Sequence, residues 1–207
     1  MSSPKYTDIL KYNSAYKKNG KIYNIAILSN TINTPLKDII EYYLRIEGIN
    51  AEITLGNYDN IVQDSNKFKD YNAIIIFWEI ANLIHGFQYK AQLYTENELK
   101  SLIIKIKSEI DFVISNLKNT GLVLFNKFSV LAFNYQNIRL NNLDEVCSEL
   151  NYYLSKNLPD NFILIDTDKI ISKLSIDKSI DFRYFYLSKM LYTIEFYKSY
   201  VSFIKPI

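Results

Sequence analysis

The chain has 207 residues, 48% of them apolar, which suits a single domain with one substantial core. Its 24 basic and 22 acidic residues leave a net charge of +2, too little to argue for nucleic acid; Lys17, Lys18 and Lys21 cluster and read as a solvated face. The apolar run from Ala73 to Trp78 is far short of the ~20 residues of a bilayer-spanning helix, and Lys5, Asp8, Lys11, Lys17 and Lys18 break any signal-peptide pattern. A lone cysteine, Cys147, cannot form an internal disulfide, so a reducing, cytoplasmic setting with no membrane partner is expected.

Residues 1–20 hold a short helical segment, Tyr6 to Tyr16, expected to pack as an extension on the domain that fills 21–207. Ile25 to Leu28 is an apolar run too short for a stable helix but suited to a strand buried on both faces. The run stops at Ser29, and the polar turn Ser29 to Thr34 follows. Thr34 is expected to cap a helix with Pro35 at its first position, Leu36, Ile39, Ile40, Tyr43 and Leu44 as its buried stripe, and Gly48 as its left-handed stop. A second strand, Asn50 to Leu55, completes a βαβ unit. Its right-handed crossover places the Ser29 turn at the carboxyl edge of a parallel sheet, where open α/β folds put ligands.

Gly56 to Asn60 reads as a turn cluster, followed by a polar loop to Asp70. Ala73 to Phe77 is a third central strand, delivering Trp78 and Glu79 to the same edge as Ser29. A long connection from Asn82 to Tyr94 carries the sole histidine, His85. Thr95 and Glu98 form a capping box, and Leu99 to Leu117 carries one apolar stripe over the longest helix. Leu122 to Phe125 is the fourth strand, ending in Asn126-Lys127. A helix capped by Asn142 buries Val146, Cys147 and Leu150, so the cysteine reads as core. The fifth strand, Phe162 to Ile165, precedes a short helix capped by Thr167, a loop of about fifteen residues whose length suggests function, and a last helix capped by Thr193. Five strands alternating with helices predict a three-layer α/β/α sandwich with the flavodoxin-like strand order 2-1-3-4-5.

The carboxyl edge therefore gathers the candidate ligand-binding residues: Ser29, Asn30, Thr31, Gly56, Asn57, Trp78, Glu79, Asn126 and Lys127, with Asp181, Arg183 and Tyr184 reaching them from the long loop. Ser29, Thr31 and Asp181 are the candidates for chemistry. Lys127, Arg183 and Lys189 together could clamp an anion. Ser29 and Asn30 can equally satisfy the turn, and Asp181 and Arg183 can simply pair. The hydroxyl-rich turn before a helix also permits phosphate or flavin binding of the flavodoxin kind, although such loops usually contain a glycine and this one has none.

Two blocks, IAILSNTINTPLKDIIEYYLRIEGINAEITLGNYDNIVQDS and SIDFRYFYLSKMLYTIEFYKSYVSFI, resemble the amino-terminal domain of FkbH-like proteins, an SGNH-hydrolase-like fold. In that family a haloacid-dehalogenase-type (HAD) domain with a DxDxT motif follows and transfers a glyceryl unit to an acyl carrier protein. No DxDxT occurs in these residues, so the resemblance implies an excised or free-standing domain whose partner is a HAD-type transferase domain or an acyl carrier protein, with no cofactor or metal of its own. Aligned on SGNH hydrolases, Ser29-Asn30-Thr31 stands for Gly-Asp-Ser, Gly56 for the glycine after the second strand, Phe77-Trp78-Glu79 for part of Gly-x-Asn-Asp, and Asp181-Phe182-Arg183-Tyr184 for Asp-x-x-His. Thr31 would then hold the nucleophile position and Tyr184 that of the base. Tyrosine, ordinarily near pKa ~10, is a poor base at neutral pH. The resemblance thus implies a silent binding domain; the alternative is a non-standard esterase using Thr31 or Ser29.

Overall fold

The computed structural model describes residues 4–83, 86–133 and 142–205. The strands β1 (Tyr23–Ser29), β2 (Ala51–Leu55), β3 (Ala73–Phe77), β4 (Leu122–Asn126) and β5 (Phe162–Ile165) form one parallel sheet in the order β2-β1-β3-β4-β5, as the sequence predicts. The register aligns Ile25 with Ile53 and with Ala73, Ile75 with Leu124, and Phe125 with Leu164, so apolar side chains stack across the sheet on both faces. Unbroken apolar runs such as Ile74–Phe77 are required because helices cover both sides.

On one side, α2 (Thr34–Ile46) packs with α1 (Tyr6–Ala15) and α11 (Ile194–Ile204), and α11 packs with α8 (Thr167–Leu174); on the other, α6 (Glu96–Leu117) packs with α3 (Ile61–Lys67) and α7 (Asn142–Asn157). The capping box of Thr95 and Glu98 forms as expected, and Leu99, Leu102, Ile103, Ile106, Ile110, Val113 and Leu117 are the buried stripe of α6. Cys147 is buried in α7.

The amino-terminal extension is stitched to the domain. Tyr6 donates to the Asp38 carboxylate at 2.6 Å, and Asn13 donates its amide to the Asp38 carbonyl at 2.8 Å. Arg45 pairs with Glu41 at 3.0 Å inside the protein and donates to Asn13 Oδ1 and to the Ala51 carbonyl, both at 3.1 Å. Glu41 in turn accepts from the Ile53 N–H at 3.1 Å. One buried ion pair therefore ties α1, α2 and the edge strand together.

Several expected boundaries differ. Thr34 is the first residue of α2 and not its cap; Asn33 precedes it, and its side chain bonds back to Ser29 and Thr31 instead of capping. The polar stretch to Asp70 contains α3, nucleated by Asp64, whose buried carboxylate accepts from the Asn57 N–H at 2.6 Å and the Asn60 amide at 3.0 Å. The connection from Asn82 to Tyr94 is built from α4 (Ile80–Leu83), α5 (Phe87–Lys90) and a single 3-10 turn, Ala91–Leu93. Asn142 does not cap α7 with its side chain, which donates to the Ala91 carbonyl at 2.7 Å. Asp166, not Thr167, stands at the cap of α8, and Thr167 is buried. The expected fifteen-residue loop is α9 (Ile176–Ser179) and α10 (Phe182–Ser188). Helices of four to eight residues are too short to display a hydrophobic period, and the side-chain bonds that start them, such as those of Asp64 and Asp181, leave no such pattern in the sequence.

Candidate functional site at the carboxyl edge of the sheet

The Ser29 turn is a closed web. Ser29 donates its hydroxyl hydrogen to the Thr31 carbonyl at 2.8 Å and accepts from the Thr31 N–H at 2.9 Å and the Asn33 amide at 2.6 Å. The Thr31 hydroxyl lies 3.0 Å from both Ser29 Oγ and Asn33 Nδ2. Ser29, Thr31 and Asn33 are all buried. The oxygen of Ser29 is thus surrounded by donors, and its proton faces a peptide carbonyl, which does not act as a base at neutral pH. Asn30, fully buried, exchanges two bonds with the Glu79 backbone, accepting from its N–H at 2.7 Å and donating to its carbonyl at 2.9 Å. The Asn30 carbonyl accepts from Asn82 at 2.8 Å. This residue clamps the end of β1 to the segment after β3.

Three tyrosines from the carboxyl-terminal segment fill the space beside that web. Tyr197 donates to Asn33 Oδ1 at 2.7 Å, Tyr192 to Glu79 Oε1 at 2.7 Å, and Tyr200 to Asn126 Oδ1 at 2.8 Å. Each hydroxyl meets a side-chain oxygen just beyond or at the end of a different strand, β1, β3 or β4. Tyr192 also stacks on Phe196 at 4.0 Å between ring centroids, and Phe77 lies against Tyr192 and Tyr200. None of Tyr192, Tyr197 and Tyr200 is among the residues that the sequence places at this edge. The available signal was a hydroxyl within an apolar stripe, because a buried phenol needs a partner.

Burial raises the Glu79 carboxyl to about 7, with the nearby Asp168 charge adding to the rise and the Tyr192 hydrogen bond opposing it. Burial likewise pushes all three tyrosines upward, so they remain protonated donors, and it pushes the Cys147 thiol up, leaving that sulfur unreactive.

The other candidates are placed as follows. Gly56 has no room for a side chain: a Cβ there would lie 2.8 Å from Asp64 Oδ2 and 3.0 Å from Leu28 Cδ2. Asn57 belongs to the same Asp64 cluster. Trp78 is buried beside Phe125 and Phe128, with access to a cavity of about 220 Å³ shared with Asp59, Gln63 and Leu83. Lys127 is held between Asp166 at 2.8 Å and Asp168 at 2.6 Å. Partial burial lowers its pKa, and the two carboxylates outweigh that effect, so the net shift is upward.

Asp181 caps α10 by accepting from the Arg183 and Tyr184 N–H groups, and pairs with the Arg183 guanidinium at 3.0 Å. That guanidinium holds the Asp181 carboxyl below its ordinary value. Tyr184 points outward, 51% exposed, and Lys189 lies over the Phe185 ring. Lys127 and Arg183 are thus each already paired with carboxylates. His85 lies outside the described residues. Among the described residues, no imidazole or carboxylate is bonded to the Ser29 or Thr31 hydroxyl.

The fold and this edge define a doubly covered, five-stranded parallel α/β domain, an architecture in which ligands bind outside the carboxyl ends of the strands. Among solved structures, the chain is similar to the N-terminal part of the protein BF1531 from Bacteroides fragilis, described as containing a phosphatase domain and complexed with Mg, with a TM-score of 0.74 and 14% identity over 95% of this chain and 54% of that one. It is also similar to the salicylyl-acyltransferase SsfX3 from a tetracycline biosynthetic pathway, with a TM-score of 0.51 and 10% identity over 92% of this chain and 56% of that one. The chain therefore spans about half the length of each. At these identities the likeness establishes the fold. No family model matches the chain, and no curated protein matches it by sequence. Among the described residues, no helix is long and apolar enough to cross a membrane.

Proposed function

We propose that this chain is a catalytically silent SGNH-like domain that binds an FkbH-type HAD transferase or phosphatase domain, or the acyl carrier protein such an enzyme serves. The observation that carries the reading is the state of Ser29: its oxygen takes two N–H donors, its hydrogen is given to the Thr31 carbonyl, and Asn33 beside it is locked by Tyr197. A hydroxyl so engaged lacks the base that makes a nucleophile. The binding part is supported by α10, which turns Tyr184, Tyr186 and Leu187 to solvent, with Leu187 84% exposed, next to the exposed Tyr89 and the free side of Arg183. Tyrosine rings and an arginine together are the residue types enriched at interface centres. The Bacteroides fragilis neighbour supports the choice of partner, since the likeness covers 54% of a chain described as containing a phosphatase domain.

Two measurements test this. With a p-nitrophenyl ester, wild type and a Ser29→Ala, Thr31→Ala double variant should both turn over at the buffer rate; wild-type turnover abolished in the variant would establish the alternative, a non-standard esterase using Ser29 or Thr31. In calorimetric titration against an FkbH-type HAD domain and against its acyl carrier protein, Arg183→Glu and Leu187→Asp should each weaken association at least tenfold. Affinity unchanged by both, or no association of the wild type with either protein, would overturn the binding reading.

A further inference from the structure

A cavity of about 280 Å³ lies at the opposite, amino edge of the sheet, remote from the Ser29 turn. Ile25, Ile75 and Leu124 form its floor on three adjacent strands, and Leu44 of α2 with Val201 and Ile204 of α11 form its walls. Ala73, small and only partly buried, leaves the floor low at its centre. The cavity is half open, with Glu47, Ile49 and Lys205 exposed at its rim, and an apolar group seated on its isoleucine, leucine and valine lining would be removed from water. Water entering it would find few partners.

The mouth carries opposite charges. Glu47, at the end of α2, and Lys205, at the end of α11, both line the opening and form an ion pair across it. A ligand with a full charge would meet one like charge there, and the carbonyl ends of both helices further disfavour an anion. A neutral head with one hydroxyl or amide could accept from the Lys205 ammonium and donate to the Glu47 carboxylate while its chain fills the cavity. We infer that this cavity binds a short alkyl or acyl chain bearing an uncharged hydrogen-bonding head, in a site separate from the carboxyl edge.

Calorimetric titration of the full chain with octanol, and with octanoate as the anionic counterpart, tests the assignment. Octanol should bind saturably, with the negative heat-capacity change of apolar burial, and octanoate at least tenfold more weakly. Ala73→Leu fills the floor and Ile204→Trp fills the wall near the end of α11; either should lower octanol affinity at least tenfold while leaving the unliganded melting temperature equal to or above that of wild type. If one variant misfolds, the other carries the test. Absence of saturable octanol binding, or equal affinity in wild type and the folded filled variants, overturns the site. Equal affinity for octanol and octanoate overturns the neutral-head requirement.

Discussion

Glu79 brings a carboxyl into a place from which water is excluded. Its folded-state value of about 7 lies above its ordinary 4.5. A raised carboxyl means that the folded protein holds the proton more tightly than the unfolded chain. The stabilisation from this group is therefore fully present below pH 4.5 and is lost as pH rises through about 7. Glu79→Gln keeps an acceptor for the Tyr192 hydroxyl and removes the ionisation. Relative to wild type it should gain on the order of 2–3 kcal/mol at pH 8 and little at pH 5, read from urea unfolding at both values. A wild-type-minus-variant difference independent of pH would contradict this account. Glu79 was legible as a residue at the sheet edge, because an apolar strand ends two residues before it. That its carboxyl is buried against Tyr192, 113 positions away, was not legible, since no local pattern records which phenol a carboxylate will meet.

At the scale of elements, two devices hold the first half of the chain. Gly56 lets the Asp64 carboxylate close against the end of β2, and that carboxylate starts α3 by binding Asn57 and Asn60. Gly56→Ala should cost about 1–3 kcal/mol through crowding and lower amide protection in α3 before that in α6; a change below measurement error would show that Asp64 moves aside freely. Arg45 joins α1, α2 and β2. Arg45→Ala leaves Glu41 buried without its cation and should cost about 3–5 kcal/mol, with hydrogen exchange in α1 rising most because Asn13 loses its partner. Protection in α1 equal to wild type would exclude that link. The helix α2 was readable from its stripe and Gly48, and α6 from its stripe and capping box, whereas α3, α9 and α10 were not. Long elements advertise themselves by repetition; short ones exist through a single capped turn.

Over the whole molecule, α11 acts as more than a cover. Tyr197 and Tyr200 on it, with Tyr192 just before it, bond to the ends of three strands. A truncation before Thr193 should therefore abolish the cooperative urea transition and the near-UV circular dichroism rather than merely reduce helix content. A truncated chain that still unfolds in one sharp transition would show the sheet to be self-sufficient. The order of the strands and their parallel sense were determined by the sequence alone, because apolar runs of strand length separated by amphipathic helices permit few right-handed arrangements. The same reasoning placed Ser29, Trp78, Glu79 and Asn126 along one edge. Which of those groups are consumed by hydrogen bonds to their neighbours was decided only by the tertiary structure. Hydrogen bonds such as Tyr197 to Asn33 join residues 164 positions apart, and their geometry comes from packing the last helix onto the first strands, a relation that no periodicity along the chain encodes.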